Sequence, residues 1–117
     1  MLLTTEYRRG DIVLVKFVFA SETRSKRRPV LLLSSDRYME GRQEVIVSAI
    51  TSNTRRMLEG DHLMADWGKA GLLYPSVSTG ILRTIKRSMI ERKMGEISQR
   101  DLSEIESNLA QILELNS

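Results

Sequence analysis

The chain contains no cysteine. Disulfides, thiolate zinc sites, iron–sulfur clusters and cysteine nucleophiles are therefore excluded. It has a single histidine, His62, so mechanisms that need two imidazoles and multi-histidine metal sites are closed to it. Long apolar runs are also missing. The longest, Ile12 to Ala20, is interrupted by Lys16 and falls far short of the ~20 residues of a membrane span. Met1–Leu2–Leu3 passes at once into Thr4, Thr5, Glu6, Arg8 and Arg9, which leaves no apolar core for a secretory signal. The expected compartment is the cytoplasm, with no membrane partner.

What is present fits one domain spanning residues 1–117. A chain of this size buries roughly two-thirds of its unfolded surface, enough for a core without covalent staples. At 41% hydrophobic and 28% charged residues the composition is that of a soluble globular protein. The net charge of +3 is unevenly spread. Residues 101–117 hold Asp101, Glu104, Glu106 and Glu114 with no Lys or Arg, which leaves +7 on the first 100 residues. A basic body of this kind suits a polyanionic partner, although many basic domains bind none.

The β-branched and aromatic run Ile12–Val15 with Phe17–Phe19, punctuated by Gly10–Asp11, predicts a strand. The polar, basic stretch 20–28 predicts a loop. Val30–Leu33 predicts a second strand opening after Pro29, a position where proline costs no ladder bond. Asp36 to Gln43 is polar, with a turn at Gly41. Val45–Thr51 is apolar enough for a strand buried on both faces. Shorter strands are expected at 62–65, 76–78, 81–84 and 89–93, the last ended by Gly95. Residues 67–75, with Gly68, Gly71 and Pro75, form a connection. Ser98 opens the one clear helix: Ser98 and Asp101 have the spacing of a capping box, and Leu102, Ile105, Leu109, Ile112 and Leu113 recur at helical intervals with the acidic residues on the other face. The expected fold is mainly β (α+β), a small β-barrel capped by a C-terminal α-helix.

Chemistry concentrates in a few places. Arg24, Lys26, Arg27 and Arg28 crowd one loop with a single carboxylate, Glu22. Guanidinium groups grip phosphate oxygens in a planar fork, yet such a loop is also an ordinary solvated surface. Arg28 abuts Pro29 at the mouth of a strand and is the best positioned of the four. Thr51 closes a buried strand and leads into Ser52, Asn53 and Thr54, which is the pattern of a polar turn unless a hydroxyl is used. A second basic stretch holds Arg83, Lys86, Arg87, Arg92 and Lys93. His62 has no partner at a telling spacing and is expected on the surface or at an edge. Trp67 reads as packing. Arg9–Gly10–Asp11 introduces a strand and carries no adhesive meaning here.

Taken in order, Arg9–Gly10–Asp11–Ile12–Val13, Arg28–Pro29–Val30–Leu31, Ser35–Asp36–Arg37–Tyr38 and Ala49–Ile50–Thr51–Ser52 resemble the PemK/MazF family of toxins. Gly71–Leu72–Leu73–Tyr74–Pro75–Ser76 and Arg83–Thr84–Ile85 look like later segments of the same family. The resemblance runs from about Tyr7 to Leu113. It implies an SH3-like barrel with a C-terminal helix, a homodimer, and a metal-independent endoribonuclease that cuts single-stranded RNA in a sequence-dependent way without a cofactor. It also implies a cognate antitoxin protein that neutralises the toxin. By motif match it implies that Arg28 and Thr51 are catalytic, with Glu22, six residues from Arg28, as the acidic residue of the first loop. Arg24, Lys26, Arg27 and Ser52 are the expected RNA-binding residues, in a groove that RNA and an acidic antitoxin tail would share. Leu72, Leu73 and Tyr74 are the apolar residues to spare for a dimer contact. Two other readings remain open: a CcdB-like toxin that binds a gyrase-type target without catalysis, and an inactive nucleic-acid-binding barrel.

Overall fold

The computed structural model describes residues 7–18 and 25–115. Its strands are β1 (Asp11–Val18), β2 (Ser25–Leu32), β3 (Glu44–Thr51), β4 (His62–Leu63), β5 (Val77–Lys86) and β6 (Ile90–Glu96). The helices are α1 (Asp36–Met39) and α2 (Gln99–Ile112), and a 3-10 turn, Arg87–Met89, joins β5 to β6. The strands form one sheet in the order β4-β5-β3-β2-β1-β6, with every neighbouring pair antiparallel.

Both faces of the sheet are covered, which explains why β1 to β3 read as unbroken apolar runs rather than alternating ones. Val13 and Val15, Val30 and Leu32, and Val45 and Val47 point into an inner core with Ile85 and Ile90. Their neighbours Ile12, Leu31 and Ile50 point the other way, into an outer core under Ile105 of α2, Met64, Ala70 and Leu72. Fully burying an aliphatic side chain contributes about 1.5–3 kcal/mol, so each strand is held from both sides.

The sheet curls around the inner core. Phe17 on β1 and Arg83 on β5 are separated by two intervening strands, yet the guanidinium carbon lies 5.2 Å from the ring centroid. The curl lets three residues carry the chain from β5 to β6 on the far side of β1. Hydrogen bonding does not close the shell among the described residues, because β4 and β6 remain unpaired with each other. Two glycines close it by contact instead. Gly71 has φ +89°, and its backbone lies so near Met94 that a Cβ would overlap the Met94 carbonyl; a Cβ on Gly95 would overlap the Ala70 carbonyl. The connection after β4 thus seals against β6, giving the expected small barrel-like body with its C-terminal helix.

Several sequence expectations change in detail. The basic stretch is not all loop: β2 starts at Ser25, because seven residues of it pair with β1 and that pairing overrides the weak strand propensity of Lys and Arg. The segments 76–78 and 81–84 form one strand, β5, with a bulge that sets Thr79, Gly80 and Ile81 against Ala49 alone. Ser48, Ser78 and Thr79 hydroxyls and the Asp61 carboxylate satisfy the polar groups that the bulge frees. Gly95 lies inside β6 rather than ending it. The polar segment 36–43 contains a short helix, capped by the Ser35 hydroxyl accepting the Tyr38 N–H. Leu72 is buried in the outer core, while Leu73 and Tyr74 are exposed, so Leu72 is not spare surface.

Arg9–Gly10–Asp11 forms the turn into β1. The Asp11 carboxylate accepts the Arg8 N–H at 2.8 Å, and Arg9 reaches Glu106 of α2 at 2.6 Å. Ser98 caps α2 as its spacing predicts. Asp101, however, faces inward and is 1% exposed.

Candidate active site

Pro29 shapes the mouth between β2 and β3. Leu33 N–H donates to the Ile46 carbonyl at 2.9 Å, so residues 33, 31 and 29 direct their backbone groups toward β3. The register sets Leu31 opposite Ser48 and would set Pro29 opposite Ile50. Proline has no N–H to donate there, and the pairing ends at Val30↔Ala49. Extended by the same register, the next same-face pair beyond that end is Arg28 and Thr51. Both belong to the inner-core face, Arg28 in line with Val30 and Thr51 in line with Ala49, at the rim where the strands part. Arg28 is exposed and Thr51 half-buried.

Local bonds orient Thr51. Its Oγ1 accepts the Asn53 N–H at 3.1 Å, and the Asn53 side chain accepts the Arg55 N–H in turn. With one lone pair engaged by Asn53, the Thr51 hydroxyl still has its proton to donate. Lys26 shares the Arg28 face, opposite Phe17. Arg27 does not. It stands opposite Lys16 on the outer face and is tied to Glu91 of β6 at 2.7 Å. That hydrogen bond holds the Glu91 carboxyl below its ordinary value. Ser52 is exposed just past Thr51. Glu22 and Arg24 lie outside the described residues.

The sequence missed a second polar cluster. Asp101 accepts four hydrogen bonds: from the Ala65 and Asp66 amides and the His62 Nε2, each at 2.8 Å, and from the Ser98 hydroxyl at 3.2 Å. Burial alone would push its carboxyl up, but the amides and the histidine outweigh that and hold it below the ordinary value. Arg100 grips Asp66 alongside with two bonds of 2.8 and 2.9 Å. His62 therefore has a partner, 39 residues away in the chain. It is in register with Ser78, itself opposite Ile50 of the outer face, so this cluster docks α2 and lies across the sheet from Thr51. Among the described residues, no three His, Asp or Glu side chains gather as a metal site would require.

An exposed guanidinium and a hydroxyl on the same rim, with an ammonium on the same face, can hold the oxygens of a phosphodiester. A family model described as a PemK-like, MazF-like toxin of type II toxin–antitoxin systems matches residues 8–113. The chain belongs to that family. Three solved structures of similar fold bear out the architecture of this PemK/MazF-like chain. A MazE–MazF structure from Deinococcus radiodurans superposes with TM-score 0.77 at 22% identity, covering 94% of this chain and 97% of its own. An endoribonuclease in complex with its cognate antitoxin from a mycobacterial species gives 0.75 at 19% identity, covering 96% and 99%. The Mycobacterium tuberculosis toxin MazF-mt6 gives 0.74 at 22% identity, covering 92% and 99%. No curated protein sequence matches the chain significantly. No helix among the described residues is long and apolar enough to cross a membrane.

Proposed function

We propose that this PemK/MazF-like chain is an endoribonuclease that cuts single-stranded RNA in a sequence-dependent way and is neutralised by a cognate antitoxin protein. The observation that supports the reading is the β2–β3 register, which ends at Val30↔Ala49 and, carried one same-face step further, leaves Arg28 and Thr51 on one rim beside Pro29. RNA supplies its own nucleophile, the 2′-hydroxyl. Its oxygen bonds to the adjacent phosphorus, the bond from phosphorus to the 5′-oxygen breaks, and the products are a 2′,3′-cyclic phosphate and a 5′-hydroxyl. Arg28 stabilises the charge that builds on the phosphoryl oxygens. The Thr51 hydroxyl donates to a non-bridging oxygen and helps align the phosphorus. Glu22 takes the 2′ proton, and water protonates the leaving 5′-oxygen. Because the nucleophile belongs to the substrate, no metal-bound hydroxide is required.

The antitoxin tail and the RNA strand compete for the mouth as flexible polyanions, so both are released by salt. The active form is a homodimer, with exposed Leu73 and Tyr74 available for contact; light scattering is expected to give twice the mass of one chain. The decisive experiment is incubation of a long RNA with the purified protein in EDTA. Cleavage with cyclic-phosphate ends, blocked by a 2′-deoxy substitution at the cut site, is the expected result. Intact RNA would overturn the reading and favour a non-catalytic, CcdB-like toxin or an inactive nucleic-acid-binding barrel.

A further inference from the structure

The cleavage chemistry uses no member of the second basic stretch, and Arg83 is the one set against an aromatic ring. It stands on β5 opposite Val47, hence on the inner-core face, and its guanidinium carbon lies 5.2 Å from the centroid of the Phe17 ring. The ring quadrupole attracts the cation, and the inner core packs against the half-buried Phe17. Arg83 itself is exposed. The result is a flat group held at a defined place on the rim instead of sweeping through solvent. Phe17 pairs with Lys26, and Arg28 is two residues further along the same face of β2. Such diagonal neighbours stand about 7–8 Å apart. The platform therefore adjoins the group that would hold the phosphate.

Single-stranded RNA offers unstacked bases, which proteins recognise by stacking on aromatic rings and on guanidinium planes. We infer that Phe17 and Arg83 form a stacking platform for the RNA base next to the cut phosphate, which makes Arg83 a base-binding residue rather than a group acting on the phosphate. The inference rests on the RNA-cleaving reading for its substrate. Lys26 and Arg28 hold the backbone, Phe17 fixes Arg83, and the outward side of the guanidinium takes the base.

The test uses the full chain and single-stranded RNA oligonucleotides blocked by a 2′-deoxy nucleotide at the cut linkage, or at a central linkage if the wild type cuts none. One set carries 2-aminopurine beside the blocked linkage and the other an abasic site there. Arg83→Lys keeps the charge and loses the plane. It is expected to weaken binding of the base-bearing oligonucleotide about tenfold and to leave the abasic one within about twofold, in line with the contribution of one stacked base. Phe17→Leu, which keeps apolar contact with the core, is expected to show the same selective loss, and the wild type is expected to quench 2-aminopurine fluorescence. Equal binding losses on both oligonucleotides, or no loss on either, in Arg83→Lys of unchanged melting temperature would overturn the platform. Failure of the wild type to cut RNA counts against the ribonuclease reading alone, because binding and quenching report the platform without cleavage.

Discussion

Pro29 shows how one residue can make a site. Without its N–H the ladder to β3 stops at Val30↔Ala49, and the two side chains that would otherwise flank a closed pair of strands instead line an open rim. Pro29→Ala restores the donor. The new residue 29 amide is expected to exchange slowly as the ladder extends toward Ile50, and RNA cleavage is expected to fall as the mouth narrows; fast exchange at that amide would contradict this account. Arg28→Ala is expected to lower the cleavage rate about 10²–10³-fold, the effect of losing one donor to developing charge, with an unchanged circular dichroism spectrum and melting temperature because the side chain is exposed. Thr51→Val is expected to act in the same direction. Thr51→Ser should keep most activity, since the hydroxyl and its bond from the Asn53 N–H are preserved.

Among the elements, β2 divides a run of three cations by its two-residue period. Lys26 and Arg28 share one face, and Arg27 is turned to Glu91 on the other. Lys26→Ser should weaken RNA binding and flatten its salt dependence, while Arg27→Ser should change both much less; filter binding at two salt concentrations separates them. Equal losses would mean that the strand untwists when RNA binds. The helix α2 depends on Asp101. A carboxyl held below its ordinary value contributes stability that is complete above the unfolded-state value of about 3.9 and is lost as pH falls through the lower folded value. Asp101→Asn is expected to cost about 2–3 kcal/mol at neutral pH through mismatched buried donors, and to lose less than the wild type as pH falls below about 4. Urea titrations at those pH values measure both.

At the scale of the whole molecule the barrel-like shape hangs on a contact between two backbones. Gly71→Ala introduces a side chain where φ is positive and where the Met94 carbonyl already stands. It is expected to lower the melting temperature by well over the few degrees of an ordinary surface change, and Gly95→Ala should do the same from the other side. A small effect at both positions would show that the seal is dispensable.

Much of this was legible along the chain. The β-branched runs are strands because their side chains suit a pleated surface, and Ser98 caps a helix because its hydroxyl can accept the amide three residues on. The Ile50–Thr51 pair marked the end of β3, and Arg28–Pro29 marked the place where β2 leaves it, although β2 itself begins at Ser25. These are local properties, decided within a few bonds of each residue. The rest depended on partners far along the chain. Lys26, Arg27 and Arg28 have no strong strand preference of their own; pairing with β1 makes them a strand and so sends Arg27 away from Arg28. Leu72 and Leu73 are neighbours of the same type, and only the course of the connection over β6 buries one and exposes the other. The bond from His62 to Asp101 and the cation–π contact of Arg83 with Phe17 exist only after the sheet has curled and α2 has docked. The sequence by itself determined which segments could be strands and helix and which residues could do chemistry. The tertiary structure decided which of them face one another, because that depends on register and curvature.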